Sequence, residues 1–378
     1  MLVAVLLFAM NNCKNNNVPD APSTEKEEEK KERQEEDKQE EEGEEEEEDP
    51  APREDNFTLG VTKPNNTKTG IPAGTVLTPH YGDITITTAG QVVENLDIHG
   101  FVFVQAANVT IHRCRVRGSL PGPTGKQNWG LIDCNPASSG PNTLIENCLL
   151  VPDYPAVGIN GILGHNYTVR RTETYNVVDG FGIYNTNGTP PTNPANVTIE
   201  GCYVHDLVYI SPDPNHSDNR THNDCIQIQG NSNISIVGNT LYANVSSMAG
   251  NGYPGAIPAP PANNPWYPSV TGQAIGVTPN VSQISSLTIN KNWLDYGAQS
   301  ITIVPNGKGV GSSVVVTGNH FGRNQPNLNK GGNSARRAII VHPSVSVANF
   351  PTTTGTDTNC GNIYEDNNTP VTIWRMNP

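Results

Sequence analysis

Short stretches in which apolar and polar residues alternate recur along the chain from residue 108 onward. Seven of them share one pattern: a polar residue, an apolar-x-apolar pair, then a Cys, Thr or Asn three residues later and one more apolar position. They are NVTIHRCRV from Asn108, NTLIENCLL from Asn142, NYTVRRTET from Asn166, NVTIEGCYV from Asn196, NISIVGNTL from Asn233, SLTINKNWL from Ser286 and SVVVTGNHF from Ser313. This alternation predicts β-strands, and no segment has the 3.6-residue period of an amphipathic helix.

The spacing of the seven segments predicts how the strands are arranged. Their starts are separated by 34, 24, 30, 37, 53 and 27 residues, so the strands match while the loops between them vary. A stack of parallel strands requires this, because loops can lengthen outward without disturbing the stack. We therefore expect the central apolar residues to form one inward column: Ile111, Ile145, Val169, Ile199, Ile236, Ile289 and Val316.

The position three residues further along is expected to turn a corner of each coil. It holds Cys114, Cys148, Thr172, Cys202, Asn239, Asn292 and Asn319. Stacked Asn side chains can hydrogen-bond along such a column and satisfy backbone groups that leave the sheet. The total of seven cysteines is odd, so we expect buried thiols here instead of a disulfide framework.

The repeat resembles that of the right-handed parallel β-helix superfamily, the pectate-lyase-like fold. It is most similar to secreted β-helix repeat proteins of bacteria and phages, in which stretches such as THNDCIQIQGNSNISIVGNTL are typical. The resemblance implies an all-β, single-stranded right-handed parallel β-helix over residues 57–378. It transfers no catalytic residue, because the polygalacturonase motifs Asn-Thr-Asp, Asp-Asp, Gly-His-Gly and Arg-Ile-Lys and the pectate lyase Arg-x-Pro-x-x-Arg do not occur.

The first 56 residues have a different character. Residues 1–17 contain the apolar run MLVAVLLFAM, followed by Cys13, and resemble a bacterial lipoprotein signal with a lipid anchor at Cys13; an ordinary signal peptide is the alternative. Residues 18–56 are rich in Glu, Lys, Pro and Gln and predict a disordered acidic linker, with a Glu-rich helix as the alternative. These features predict a secreted or cell-surface-tethered protein.

The charge of the protein is concentrated in that linker. The formal net charge is −14, and Asp20–Asp55 holds 20 acidic and 6 basic residues, which leaves 17 of each elsewhere. Nucleic-acid binding through a basic surface is therefore excluded as a bulk property. No apolar run reaches the length of a spanning helix, so we expect no transmembrane segment.

The densest group of ionisable residues in the predicted β domain lies in HDLVYISPDPNHSDNRTHNDCIQIQ. The catalytic candidates within it are Asp206, His216, Arg220, His222 and Asp224. Asp206 with Asp224 would suit the acid and base of a glycoside hydrolase. His216 or His222 as base with Arg220 as a charge stabiliser would suit a uronate lyase.

Other roles for the same region remain open. The Asp and Asn residues are also ordinary turn formers. Asp213, Asp218 and Asp224 offer oxygen ligands for Ca²⁺, although their spacing matches no EF-hand loop. In the insert Met248–Gly272, the aromatic residues Tyr253, Trp266 and Tyr267 are candidates for binding substrate together with Gln227, or they clamp a Pro-rich loop onto the fold.

The sequence therefore predicts an extracellular polysaccharide-binding protein that cleaves its polymer by lyase or hydrolase chemistry. The alternative is a non-catalytic β-helix of a surface protein, an adhesin or a phage or viral spike. The fold itself does not distinguish between these functions.

Overall fold

The described residues of the domain that follows the acidic segment form β-strands joined by turns and loops. The computed structural model describes residues 56–123, 127–135, 140–188, 193–210, 213, 215–217, 219–246, 272–325 and 337–376, which belong to one compact unit, Pro50–Pro378. The predicted signal and linker residues up to 55, with Cys13, lie outside the described residues. No helix capable of crossing a membrane occurs in the described part of the chain.

The described residues form short strands that follow one another closely along the chain. They are β1 (Thr78–Tyr81), β2 (Ile84–Ile86), β3 (Val92–Glu94), β4 (Leu96–His99), β5 (Val102–Val104), β6 (Thr110–His112), β7 (Arg115–Val116), β8 (Trp129–Cys134), β9 (Thr143–Glu146), β10 (Leu149–Leu150), β11 (Ile159–Gly164), β12 (Tyr167–Arg170), β13 (Glu173–Thr174), β14 (Phe181–Ile183), β15 (Val197–Glu200), β16 (Tyr203–Val204), β17 (Leu207–Val208), β18 (Ile226–Ile228), β19 (Ile234–Val237), β20 (Thr240–Ala243), β21 (Val245–Ser246), β22 (Gln273–Val277), β23 (Leu287–Asn290), β24 (Trp293–Tyr296), β25 (Gln299–Ile303), β26 (Val314–Thr317), β27 (His320–Phe321), β28 (Ile339–Val341), β29 (Gly355–Thr356), β30 (Ile363–Tyr364) and β31 (Thr372–Arg375).

The strands assemble into three long sheets that the chain visits in turn. Sheet A has the order β1-β4-β7-β10-β13-β16-β20-β24-β27-β30, sheet B the order β2-β5-β8-β11-β14-β18-β22-β25-β28-β31-β29, and sheet C the order β26-β23-β19-β15-β12-β9-β6-β3. From β3 onward the chain passes from sheet C to A to B and repeats, and β17 and β21 form an extra pair between A and B. This order is compatible with a β-solenoid, as the repeat predicted.

The predicted inward column lies in sheet C. Each central residue pairs in register with its equivalent on the neighbouring strand, from Ile111 opposite Ile145 to Ile289 opposite Val316. All seven side chains are fully buried. The alternation of apolar and polar positions therefore identified both the strands and their register, because a slip of one residue would turn the apolar set outward.

The predicted corner column joins sheets C and A, and it forms a hydrogen-bonded ladder. The Nδ2 of Asn239 donates to Asn292 Oδ1 at 2.9 Å and to the carbonyl of Ile199 at 3.0 Å. Asn292 and Asn319 repeat this arrangement, and the ladder ends at Asn362, whose Nδ2 donates to Asp357. In the earlier coils the cysteines of this column are buried unpaired thiols, which donate to backbone carbonyls.

The residue before each corner position has a left-handed backbone. These residues are Arg113, Asn147, Arg171, Gly201, Gly238, Lys291, Gly318 and Gly361, with φ between 44° and 69°. The left-handed region bends the chain sharply from sheet C into sheet A and costs little only for Gly and Asn. The use of Arg and Lys at this position indicates that the stacked coils hold the bend.

An N-terminal strap, residues 56–77, lies along this corner before β1 begins. Phe57 and Leu59 pack against Gly201 and Gly238, where a Cβ would lie only 2.6 Å from Phe57 or from the backbone nitrogen of Gly60. Further along, the ammonium of Lys63 pairs with Glu365, and the strap returns to hydrogen-bond the carbonyl of Arg171 through the N–H of Gly70. Glycine at the position before the corner residue therefore also makes room for the strap.

Candidate active site

A polar cavity of about 350 Å³ lies over the outer face of sheet B. Its base is formed by residues of β11 and β18 and by the residues just before and after β14. Its side is formed by the loop that connects β17 to β18. The residues that line the cavity include Asn160, Asp179, Asp213, His216, His222 and Gln227.

Asp179 and Asp224 occupy the same column on neighbouring coils. Phe181 in β14 pairs with Ile226 in β18, so the residues two positions earlier are equivalent. The backbone N–H of Asp224 donates to Asp179 Oδ1 at 2.8 Å. The N–H of Gln273 in turn donates to Asp224 Oδ1 at 2.6 Å. These contacts fix both carboxyl groups against the edge of the sheet.

Burial changes the acidity of this pair. Loss of solvent raises the pKa of Asp179 to about 7, with a further increase from the negative charge of Asp213. Burial, followed by repulsion from Asp179, raises the pKa of Asp224 well above its usual range. Asp179 is part-exposed in the cavity, whereas Asp224 is buried behind it. The cavity therefore contains a carboxyl group that holds its proton near neutral pH.

The loop between β17 and β18 brings an aspartate–histidine pair to the cavity. Asp213 is 1% exposed, and its Oδ2 lies 2.6 Å from His216 Nδ1, while its Oδ1 accepts from the N–H of Asn215 at 2.7 Å. The ring of His216 stacks on that of His222, with centroids 4.3 Å apart. Because Nδ1 of His216 is held by Asp213, its Nε2 remains to exchange a proton in the cavity.

The base of this loop is fastened by one buried amide. Asn223 Nδ2 donates to the carbonyls of Val178 and Val208 at 2.9 and 2.7 Å. Its Oδ1 accepts from the Thr221 hydroxyl, which also accepts the N–H of Ile210. The two ends of the loop are therefore tied together directly beside Asp179 and Asp224.

Glycines on both sides of Gln227 shape the base of the cavity. Gln227 pairs with Gly182 on one side and Gly276 on the other. A Cβ at Gly276 would lie 2.9 Å from Asp224 Oδ2, so the glycine leaves room for that carboxylate. Gln227 hydrogen-bonds Asp224 and accepts from Gln229, which links the buried carboxylate to the cavity surface.

Asp206, a catalytic candidate from the sequence, is placed elsewhere. It follows β16 in sheet A, where its Oδ2 lies 2.6 Å from His205 Nδ1, and His205 Nε2 lies 3.0 Å from Glu173. The His205 ring stacks between Tyr203 and Tyr175, with centroids 4.0 and 5.1 Å away. Asp206 is not among the residues that line the cavity, so its nearness to Asp224 in the sequence does not bring the two together at that site.

The remaining candidates divide into two groups. Arg220 is described but does not line the cavity. Asp218, Tyr253, Trp266 and Tyr267 lie outside the described residues, so their predicted roles stay predictions. Within the described part of the chain, no three His, Cys, Asp or Glu side chains are grouped to hold a metal ion. The predicted Ca²⁺ ligand Asp213 instead directs both oxygens to Asn215 and His216.

Asp179 was not among the candidates predicted from the sequence. It stands in VVDGFGI, apart from the dense ionisable segment, and local density was the signal that selected the candidates. The register supplies a better signal. Aligning FGI of β14 with IQI of β18 would have placed Asp179 beside Asp224.

Comparisons with known proteins gave no match. No protein-family model matches the chain, and neither curated proteins nor solved structures give a match. The chemistry of the cavity is therefore the basis on which a function can be assigned.

Proposed function

We propose that the protein is a glycoside hydrolase that cleaves an extracellular polysaccharide in the cavity over sheet B. The observation that supports this is the meeting of Asp179 with the Asp213–His216 pair in one cavity. Hydrolysis of a glycosidic bond needs an acid for the leaving oxygen and a base for the attacking water. The cavity offers one group suited to each task.

In this proposal Asp179 is the acid. Its carboxyl group donates a proton to the glycosidic oxygen as the bond to the anomeric carbon breaks. His216 accepts a proton from the attacking water at Nε2 while Asp213 holds its Nδ1–H, as orienting carboxylates do for catalytic histidines. The water oxygen forms the new bond to the anomeric carbon, so protons and bonds balance.

Asp224 acts through Asp179. It is buried and does not line the cavity, so we assign it a positioning role. Its N–H donates to Asp179 Oδ1 and fixes the direction of that carboxyl group, and the charge of Asp179 in turn raises the pKa of Asp224.

Hydrolysis is favoured over the lyase alternative by the position of Arg220. A lyase needs a cation beside the substrate carboxyl group to stabilise the charge that follows proton removal. Arg220 was the residue expected to supply it and does not line the cavity.

We also propose a handedness for the coil and a location for the protein. We take the coil to be right-handed, because crossovers between parallel strands have that hand in nearly all proteins. The apolar start and the acidic residues 18–56 support export and tethering at the cell surface.

The test is release of reducing ends from a panel of polysaccharides by the full chain and by the Asp179→Asn variant. Removing the acid should lower kcat by about 10²- to 10⁴-fold. The wild-type rate should fall as pH rises through about 7, because Asp179 loses its proton. The exposed Asp366→Asn variant is the control and should keep the wild-type rate.

Three results would contradict the assignment. Loss of turnover in Asp206→Asn but not in Asp179→Asn would move the chemistry to sheet A. Unsaturated products, detected by their ultraviolet absorbance, would indicate a lyase. Binding of a polymer without any turnover would support the non-catalytic alternative.

A further inference from the structure

Side-chain amides dominate the polar lining of the cavity. They belong to Asn128, Asn160, Asn215, Gln227, Gln229 and Asn280. An amide both donates and accepts hydrogen bonds, as a sugar hydroxyl does, so such a lining suits a ligand rich in hydroxyl groups.

The described lining of the cavity offers no Lys or Arg to a charged ligand. Its carboxyl groups belong to Asp213 and to Asp179, of which Asp179 holds its proton near neutral pH. A sugar carboxylate bound there would approach the carboxylate of Asp213 without a guanidinium or ammonium partner. Bringing like charges together in a partly desolvated site is unfavourable.

We propose that the cavity accepts an uncharged sugar, so that the substrate is a neutral glycan and not a polyuronate. This inference rests on the proposed hydrolase function and specifies its substrate class. Charge and hydrogen-bonding capacity favour the same ligand, since the described lining offers a carboxylate no cation and matches hydroxyl groups.

The experiment compares neutral polysaccharides with polygalacturonate and alginate as substrates for the full chain. We expect reducing ends to be released at least about tenfold faster from a neutral polymer. The variant Asn128→Lys places a cation at the exposed rim of the cavity and should raise relative turnover of polyuronates about fivefold, the size expected of one exposed ion pair. Ser312→Lys adds the same charge at an exposed turn that does not line the cavity and should leave the preference unchanged.

The outcomes separate this inference from the proposed function. Faster hydrolysis of a polyuronate would overturn the inference and leave the hydrolase assignment standing. If no polymer is cleaved, affinity electrophoresis of Asp179→Asn decides the remaining point. Retention by neutral glycans alone would support the inference while the hydrolase assignment fails, and retention by polyuronates or by no polymer would overturn both.

Discussion

Asp224 illustrates how a single buried carboxyl group connects the chemistry of the site with the stability of the fold. Burial and the neighbouring Asp179 raise its pKa well above the value in an unfolded chain. The folded state therefore holds more protons than the unfolded state once the pH exceeds the ordinary Asp pKa of about 4. The stability that the protonated Asp224 carboxyl contributes at low pH is therefore lost as the pH rises through the pKa that this group has in the folded state.

The variant Asp224→Asn should remove this loss. The amide Oδ1 can keep the hydrogen bond from Gln273 and carries no charge at any pH. We expect the free energy of unfolding of the variant to match that of the wild type near pH 4 and to exceed it increasingly toward pH 8. Denaturant unfolding over this pH range measures the difference. Curves that stay parallel would show that Asp224 is not buried in this way.

At the scale of the element, the strands and columns were predictable because each depends on a short local pattern repeated many times. Ile236 and Asn239 are buried, and both positions belong to a pattern that is visible within a few residues of sequence. The same pattern occurs in each coil of the stack. The left-handed corner residues were not predicted, since Arg171 and Lys291 do not favour that backbone by themselves. Their bend is imposed by the neighbouring coils.

The cavity was only partly predictable for a related reason. Asp213, His216, His222 and Gln227 were identified from one dense segment, and the structure brings them to one cavity. Asp179 comes from the preceding coil, and its contribution depends on register between strands far apart in sequence. Asp206 belongs to the dense segment, yet the turn from sheet A directs it to His205. A dense group of ionisable residues in the sequence therefore identifies the loop beside a site, but it does not identify the residues on other coils that complete the site.

The asparagine ladder gives a sharp test of the corner. In Asn292→Ala, Asn239 would lose the acceptor for its N–H and its Nδ2, and the carbonyl of Ile236 would lose its donor. Each buried group left unsatisfied costs about 1–3 kcal/mol, and three groups lose a partner, so we expect a loss of at least about 3 kcal/mol in the free energy of unfolding.

A matched variant lies two residues away. Asn290→Ala removes a part-exposed side chain with one long contact, 3.4 Å to the Thr317 hydroxyl, and should cost no more than about 0.5 kcal/mol. Equal losses in the two variants by denaturant unfolding would show that the ladder does not stabilise the corner.

At the scale of the whole domain, the strap ties coils that are distant in sequence. It contacts Gly201 and Gly238 in the middle of the stack, Glu365 near one end, and Arg171 on its return. A solenoid otherwise gains its stability from neighbouring coils alone, so a strap that crosses several of them should make their unfolding more cooperative.

Alanine substitutions at two glycines can separate the cost of displacing the strap from the cost of backbone strain. Gly238 and Gly318 have φ of 66° and 64°, so alanine should cost about 1 kcal/mol of backbone strain at either position. A Cβ at Gly238 would lie 2.6 Å from the strap nitrogen of Gly60, whereas at Gly318 the nearest atom is 3.4 Å away. We expect Gly238→Ala to lose at least about 1 kcal/mol more than Gly318→Ala, and only Gly238→Ala to speed hydrogen exchange in residues 56–77. Equal behaviour of the two variants would leave the strap without a stabilising role.

At the last coil, other segments of the chain contact the final strands of sheets B and C. β29 pairs antiparallel with β31 and covers the final strand of sheet B, and the N–H of Ala348 occupies the carbonyl of Val314 in the final strand of sheet C. Open strand edges invite a second chain to continue the pairing and grow into fibres. Because β29 runs antiparallel to the stack, the edge of sheet B offers an incoming strand no parallel template, so we expect this end of the domain to resist end-to-end polymerisation at high protein concentration.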